Sequence, residues 1–171
     1  RLSIRLNRWC GFDSVPHVAI FGDDDIEFMK LMKKVQNLTL NTQDKCYLLA
    51  RCLRHTAVLR GDVAECGVYK GGTLYILASL LKNSNKSLHV FDTFAGIPES
   101  SGLDTAQVRD FSDTSVESVK KLLAPFASVD FHAGNIPETF KGIGPDKIFC
   151  FVHIDVDNYN ATYHCCEFFY K

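Results

Sequence analysis

Residues 62–81 read DVAECGVYKGGTLYILASLL, and this stretch decides the fold. The apolar run Val63–Cys66 predicts a short buried strand, and the apolar residues of Gly72–Leu81 predict a helix. Between them lies a turn with three glycines in six residues, Gly67–Gly72. A strand followed at once by a glycine turn and a helix is typical of the first unit of a parallel sheet with crossover helices.

The same alternation continues along the chain. The apolar runs predict strands covered on both faces, and Thr114 with Glu117 predicts a capping box at the start of the middle helix. The predicted strands are Ser87–Phe91, Val129–His132 and Ile148–Ile154, with a helix at Ser115–Leu123 and a turn at Pro137–Phe140.

Right-handed crossovers place the first and fourth strands side by side, with strands two and three running outward from the first. The fold class is therefore α/β, a Rossmann-like, doubly wound and mostly parallel sheet. In such sheets, ligands bind beyond the carboxyl ends of the strands at the point where the strand order reverses. Residues that directly follow each strand are the ones to examine for function.

The first 61 residues show helical patterns instead. His17–Phe21 is a candidate short strand, and Asp23–Asp25 introduce a helix that continues through Ile26, Met29, Lys30 and Lys33. Thr42–Thr56 is a second predicted helix. We therefore divide the chain into an N-terminal helical segment, residues 1–61, that contributes to an acceptor site or lid, and a core, residues 62–171. The chain starts at Arg1 and ends within the helix-like stretch Tyr159–Lys171, which predicts a longer protein and an incomplete core.

Composition excludes several classes of protein. The formal net charge is −1, without a basic stripe, which argues against nucleic-acid binding. No apolar run reaches the ~18 residues that a membrane span needs, so we expect no membrane partner. The 7 cysteines lack the spacing of a zinc site, which favours reduced thiols and a cytoplasmic location. A small molecule is the expected partner.

The glycine turn is the first candidate site. Glycine lets the backbone approach a ligand closely, and the following helix N-terminus offers amides to an anionic group such as the carboxylate of methionine. The spacing matches neither the dinucleotide nor the nucleoside triphosphate fingerprint. The alternative is a purely structural turn.

Polar residues follow the second and third strands as well. Asp92 stands where doubly wound nucleotide-binding domains hold an acid against ribose hydroxyls, although a strand-end aspartate is also common as a simple cap. Thr93 and Phe94 are placed to pack beside an adenine ring. Asn135 and Ile136, after the third strand, are placed to contact the adenine edge, although a Gly-Asn pair is also typical of a simple turn.

Two carboxylates, Asp155 and Asp157, leave the end of the fourth strand. Paired carboxylates at a strand end suit a hard cation such as Mg²⁺, and the alternative is that one of them caps the next helix. His153 is expected to face the sheet interior as a core residue.

Taken together, AECGVYKGGT at 64–73, HVFDTFAGIPE at 89–99 and HIDVDNYNAT at 153–162 resemble the macrocin O-methyltransferase family. The resemblance runs from Asp62 to the end of the chain. It implies a class I methyltransferase fold, S-adenosylmethionine as methyl donor, Mg²⁺, and a sugar or other small-molecule hydroxyl as acceptor. A homo-oligomer is also compatible with it.

The resemblance implies roles for individual residues. Asp92 falls on the ribose-binding acid, Asp155 on a metal-binding aspartate, and Asp157 on the position proposed as general base; Asp155 and Asp157 are the predicted catalytic residues. Glu65, Gly67, Tyr69, Gly71, Gly72 and Thr73 fall on the motif around the methionine end of the cofactor.

One departure from the family concerns the metal site. The family carries a pair of adjacent aspartates after a fifth strand, which this sequence does not reach, so the predicted Mg²⁺ site is incomplete. Two alternatives to the methyltransferase stay open. One is a cofactor-binding or assembly module without activity, and the other is an oxidoreductase that binds NAD.

Overall fold

The alternating pattern folds as one parallel sheet with helices on both faces. A computed structural model describes residues 25–170. In chain order the elements are α1 (Ile26–Val35), α2 (Gln43–Thr56), β1 (Asp62–Cys66), α3 (Gly72–Leu81), β2 (Leu88–Asp92), α4 (Val116–Leu123), β3 (Val129–Ala133), a 3₁₀ helix (Glu138–Gly142), β4 (Phe149–Ile154) and α5 (Tyr159–Phe169).

The strand order is β3-β2-β1-β4, and every pair is parallel. This confirms the predicted order, including the neighbouring first and fourth strands. Because both neighbours of β1 run parallel to it, the carboxyl ends of the four strands meet at one edge of the sheet. The turns after these strands are thereby brought together.

The two central strands are buried, but the outer two are not. β1 and β2 are buried almost throughout. In β3 some residues are exposed and the others half-buried, and β4 is half-buried along its length. The prediction that all four strands are covered on both faces is therefore wrong for β3 and β4. Each of these lies at an edge of the described sheet, where only one neighbouring strand shields it.

Polar side chains cap the first turns of α1 and α4. The Asp25 carboxylate caps α1 by accepting a hydrogen bond from the Phe28 amide at 2.9 Å. The capping box at α4 uses Ser115 and Ser118, not Thr114 and Glu117 as predicted. The Thr114 hydroxyl instead donates to the Tyr69 carbonyl oxygen at 2.7 Å, so it ties α4 to the glycine turn.

Side chains from both faces of the sheet form the core. On one face, Leu53, Val63, Leu77 and Val90 belong to a buried cluster beneath α2, α3 and α4. α3 also contributes Ile76 to a second cluster shared with α1 and α2. Because α3 contacts both the sheet and two helices, seven of its ten residues are buried, which explains why its sequence is apolar on all sides.

The opposite face of the sheet is aromatic. Phe91 packs edge-to-face against Phe140 of the 3₁₀ helix and Phe169 of α5, with ring centroids 5.1 and 6.1 Å apart. His132 stacks on Phe91 at 4.6 Å. The aromatic residues of α5 thus hold that helix, and the loop before it, against the sheet.

The N-terminal helices pack directly on this core. α1 and α2 contact α3, and the predicted division at residues 61 and 62 stays a prediction. The predicted strand at His17–Phe21 lies outside the described residues. Within residues 25–170, no helix is long and apolar enough to cross a bilayer.

Candidate cofactor site at the strand ends

A cavity of about 360 Å³ opens beyond the carboxyl ends of the strands. Ligand sites in proteins usually enclose about 300–1,000 Å³. Eight of the predicted site residues line the cavity: Gly67, Tyr69, Thr73, Asp92, Thr93, Ile136, Asp155 and Asp157. The turns after all four strands therefore meet in one site.

Gly67 brings the first turn against the end of β4. Its φ is +81°, and a Cβ there would lie 2.1 Å from the Asp155 carbonyl oxygen. The Gly67 amide donates to the Phe91 carbonyl, and the Asp155 amide donates to the Cys66 carbonyl, at 2.9 and 2.8 Å. Only glycine allows this close approach, which holds Asp155 beside the turn.

The two later glycines act behind the cavity wall. Gly71 is the N-cap of α3 in the left-handed conformation, with no side-chain cap. Gly72 donates from its amide to the Leu38 carbonyl at 3.2 Å. A Cβ on Gly72 would lie 2.7 Å from Thr39 Cβ, so the absence of a side chain admits the chain segment that precedes α2. Both glycines shape the site without lining it.

Asp92 binds the backbone of the glycine turn. Its Oδ2 accepts from the Val68 and Tyr69 amides at 2.6 and 3.2 Å, and its Oδ1 accepts from the Phe94 amide at 2.7 Å. A carboxylate has about four acceptor positions, so most of its capacity is used within the protein. A structural role is thus present, as the alternative of a strand-end cap allowed, but the sequence did not indicate that the donors lie in the neighbouring glycine turn.

Asp155 and Asp157 lie at the cavity edge with their carboxylates available. Asp155 Oδ2 accepts a hydrogen bond from the Asn41 side-chain amide at 2.9 Å. Although Asp157 is an exposed residue, neighbouring protein displaces part of the water around its carboxyl. This desolvation, and then the Asp155 carboxylate, raise the pKa of Asp157, whereas Lys45 lowers it.

Neither aspartate caps the following helix. The N-cap of α5 is Asn158, whose side chain accepts from the Ala161 amide at 2.9 Å. The alternative that one of the two aspartates caps this helix is therefore wrong. Within residues 25–170, however, no group of three or more His, Cys, Asp or Glu side chains is arranged to hold a metal ion.

Glu65 lies in the interior and does not line the cavity. It is 0% exposed, and its Oε1 lies 2.9 Å from His153 Nδ1. Burial alone would lower the pKa of His153, but the hydrogen bond and charge of Glu65, together with the charge of Asp155, outweigh burial and raise it. His153 is half-buried and pairs with Glu65, an acid that the family resemblance placed at the cofactor.

Two other predicted contacts also lie elsewhere. Phe94 is 8% exposed and packs in the main core with Leu77 and Val90, because the chain turns inward after Asp92. Asn135 is exposed, and its carbonyl accepts from the Thr139 amide. Of the two residues predicted at the adenine edge, only Ile136 reaches the cavity.

Two walls of the cavity consist of residues that the sequence did not assign individually, although it assigned the N-terminal segment to an acceptor site or lid. One is the connection between α1 and α2, and the other is the long loop after β2, which α5 holds in place through Asn158. The Asn158 side-chain amide donates to the Glu99 carbonyl at 2.8 Å, and the Asp104 carboxylate accepts from the Tyr159 amide at 2.6 Å. The residues of these walls are Leu38, Thr39, Leu40, Asn41, Gly96, Ile97, Pro98, Glu99 and Phe111, and Lys45 of α2 lines the cavity beside them. The motif HVFDTFAGIPE extends into the loop after β2, but it did not indicate that its last four residues line the cavity, and the connection between α1 and α2 carries no motif.

A family model of the macrocin-O-methyltransferases (TylF) matches residues 37–171. The chain belongs to this family. The matched region contains the glycine turn, Asp92, and both aspartates after β4, and it includes most of the connection between α1 and α2. The matched residues therefore include every residue that lines the cavity.

Solved methyltransferase structures share the fold. The O-methyltransferase NovP superposes with a TM-score of 0.64 at 19% identity, covering 78% of this chain and 62% of its own. The calicheamicin methyltransferase CalS11 superposes with a TM-score of 0.65 at 17% identity, covering 91% and 76%. No curated protein sequence matches the chain. The chain thus spans less than two thirds of NovP.

Proposed function

We propose that this member of the macrocin-O-methyltransferase family binds S-adenosylmethionine in the cavity and transfers its methyl group to a hydroxyl of a sugar or another small molecule. The observation that carries the proposal is the convergence of the glycine turn, Asp92, Asp155 and Asp157 on one cavity of about 360 Å³. Six free cysteines among the described residues suit the reducing cytoplasm, where we place the protein.

The methionine end of the cofactor is assigned to the glycine turn. Gly67 exposes backbone at the cavity, and Thr73 lies in the first turn of α3. The positive end of the helix dipole favours a carboxylate there. The apolar Ile97 and Ile136 line the same cavity and offer surfaces for the adenine ring.

The ribose is assigned to Asp92. With three backbone amides already bound, we expect this carboxylate to accept one ribose hydroxyl rather than both. Replacement of Asp92 would also release the glycine turn, so loss of cofactor affinity alone would not establish a ribose contact. A cofactor analogue that lacks a hydroxyl separates these two effects.

The acceptor hydroxyl is assigned to the edge formed by Asp155 and Asp157. Mg²⁺ is commonly held by one or two carboxylates together with water and substrate oxygens, so these two side chains fit a Mg²⁺ ion although they do not form a complete site. Asp155 would hold the ion, which when bound supplies Lewis acidity to the acceptor hydroxyl.

Methyl transfer requires an oxygen with alkoxide character. We assign the proton of the acceptor hydroxyl to the Asp157 carboxylate. The oxygen forms a bond to the methyl carbon as the carbon–sulfur bond breaks, and the electron pair of that bond neutralises the sulfonium. The products are the methyl ether and S-adenosylhomocysteine.

Calorimetry tests cofactor binding. We expect wild-type protein to bind S-adenosylhomocysteine and not NAD, and a 2′-deoxy or 3′-deoxy analogue to bind more weakly. In Asp92→Asn, S-adenosylhomocysteine should bind no more tightly than the deoxy analogue that shows the weaker binding to wild type. Binding of NAD in preference would support the oxidoreductase and contradict the proposal.

Turnover tests the reaction. Wild-type protein is incubated with methyl-tritiated S-adenosylmethionine, Mg²⁺ and a panel of glycosides and other hydroxylated compounds. We expect label in an ether product, and we expect Asp157→Asn to reduce turnover by about 10²–10⁴-fold with unchanged cofactor affinity. Cofactor binding without turnover on any acceptor would indicate the non-catalytic module.

A further inference from the structure

The connection between α1 and α2 reaches the site from outside the predicted core. This connecting segment, Leu38–Asn41, is fixed to the start of α3 by the hydrogen bond from the Gly72 amide to the Leu38 carbonyl. Thr39 occupies the space that a Gly72 side chain would fill. All four residues of the segment line the cavity.

Hydrogen bonds hold both the backbone and the side chain of Asn41. Its amide donates to Thr39 Oγ1 at 3.0 Å, and its carbonyl accepts from the Cys46 thiol at 3.8 Å. Its side-chain amide donates to Asp155 Oδ2 at 2.9 Å, a contact between residues 114 positions apart. A fixed backbone therefore presents this donor to an aspartate at the end of β4.

Asp155 needs such a donor for a defined orientation. The Asp155 backbone is fixed by the hydrogen bond from its amide to the Cys66 carbonyl and by its close approach to Gly67. The residue is nevertheless exposed, and an exposed aspartate side chain samples several rotamers. The Asn41 amide selects one of them by occupying Oδ2. Asp155 also lines the cavity, so a bound ligand can reach its carboxylate.

We propose that Asn41 is a positioning residue that orients the Asp155 carboxylate for the acceptor side of the reaction. The proposal rests on the proposed function, because it gives Asp155 its task. It also gives the N-terminal segment a specific part in the site. Asn41 acts through Asp155, so its contribution should vanish when Asp155 is replaced.

A double-mutant cycle on turnover tests this dependence. Asn41→Ala should lower kcat about tenfold, as expected for a lost hydrogen bond to a charged group, with unchanged affinity for S-adenosylhomocysteine. Asn41→Gln, which keeps the amide, should recover part of the loss. In an Asp155→Ala background, Asn41→Ala should cause no further decrease. Asn37→Ala is the matched control, because Asn37 is exposed and lies just outside the segment.

Three results would overturn the proposal. They are an unchanged kcat in Asn41→Ala, a decrease that persists in full in the Asp155→Ala background, and an equal loss of cofactor affinity, which would indicate a structural role. If wild-type protein shows no turnover, the proposed function fails and NMR decides the positioning. The side-chain amide resonances of Asn41 should shift in Asp155→Ala and not in Asn37→Ala, and their failure to shift would reject the contact.

Discussion

Replacement of Gly67 by alanine tests how the glycine turn and the end of β4 are joined. The new Cβ would lie 2.1 Å from the Asp155 carbonyl oxygen and 2.7 Å from its carbonyl carbon. Non-bonded carbon atoms prefer separations of about 3.5–4.0 Å, so the two backbone segments must move apart by about 1 Å. Alanine must also adopt the left-handed φ of +81°, which costs about 1–2 kcal/mol.

The displacement weakens two hydrogen bonds that the close approach maintains. They run from the Gly67 amide to the Phe91 carbonyl and from the Asp155 amide to the Cys66 carbonyl. Each contributes about 1 kcal/mol to stability. We therefore expect Gly67→Ala to lower the free energy of unfolding by about 3 kcal/mol.

Urea unfolding followed by circular dichroism measures this change, with calorimetry of S-adenosylhomocysteine as second readout. Gly102→Ala is the matched control, because no heavy atom lies within 4 Å of its added Cβ. We expect the control to differ from wild type by less than about 0.5 kcal/mol. Equal stability of the two variants, with wild-type cofactor affinity in Gly67→Ala, would refute the reasoning.

Three further predictions address the core, the thiols and pH. Leu77→Ala should lower the free energy of unfolding by about 2–5 kcal/mol in the same assay, since Leu77 is 0% exposed in the main cluster; a loss below that range would show that the cluster collapses around the gap. Burial, and then the charge of Glu65, raise the pKa of Cys46 to about 11. At pH 8, maleimide should therefore label the exposed Cys52 first and Cys46 only on unfolding. Mass spectrometry of digests measures the order of labelling, and the reverse order would contradict this prediction. Burial lowers the pKa of His89 from its usual 6.5, so the folded chain favours the neutral ring. Its contribution to stability is complete above pH 6.5 and is lost as pH falls toward the lower folded pKa, because the unfolded chain binds the proton first. Unfolding measured between pH 7.5 and 5.5 should show a shallower decline in His89→Leu, and an identical slope would contradict this.

Much of the fold follows from local pattern in the sequence. The bounds of α3 agree with prediction residue for residue, because a glycine turn precedes it and its apolar run ends with it. The strand order also follows, because parallel strands joined by right-handed crossovers allow few arrangements. The burial of β3 and β4 was overestimated because an apolar run does not reveal how many neighbours a strand has.

Part of the candidate site could also be predicted from the sequence, and part could not. The positions of Gly67, Asp92, Asp155 and Asp157 at the cavity could be predicted, because each lies at or just after the carboxyl end of a strand and these ends meet at the same sheet edge. The places of Glu65 and Phe94 could not, because which way a side chain points near a strand end depends on its tertiary partners. For Glu65 that partner is His153, on a neighbouring strand 88 positions away.

The sequence by itself determined the α/β class, the strand order and the turns that surround the cavity, because these depend on periodicity, glycine and chain connectivity. Only the tertiary structure brought the connecting segment Leu38–Asn41 to Asp155 and turned Asp92 toward the amides of the glycine turn. Such contacts join residues far apart in the chain, and their geometry depends on the packing of whole helices against the sheet. No local pattern encodes that packing.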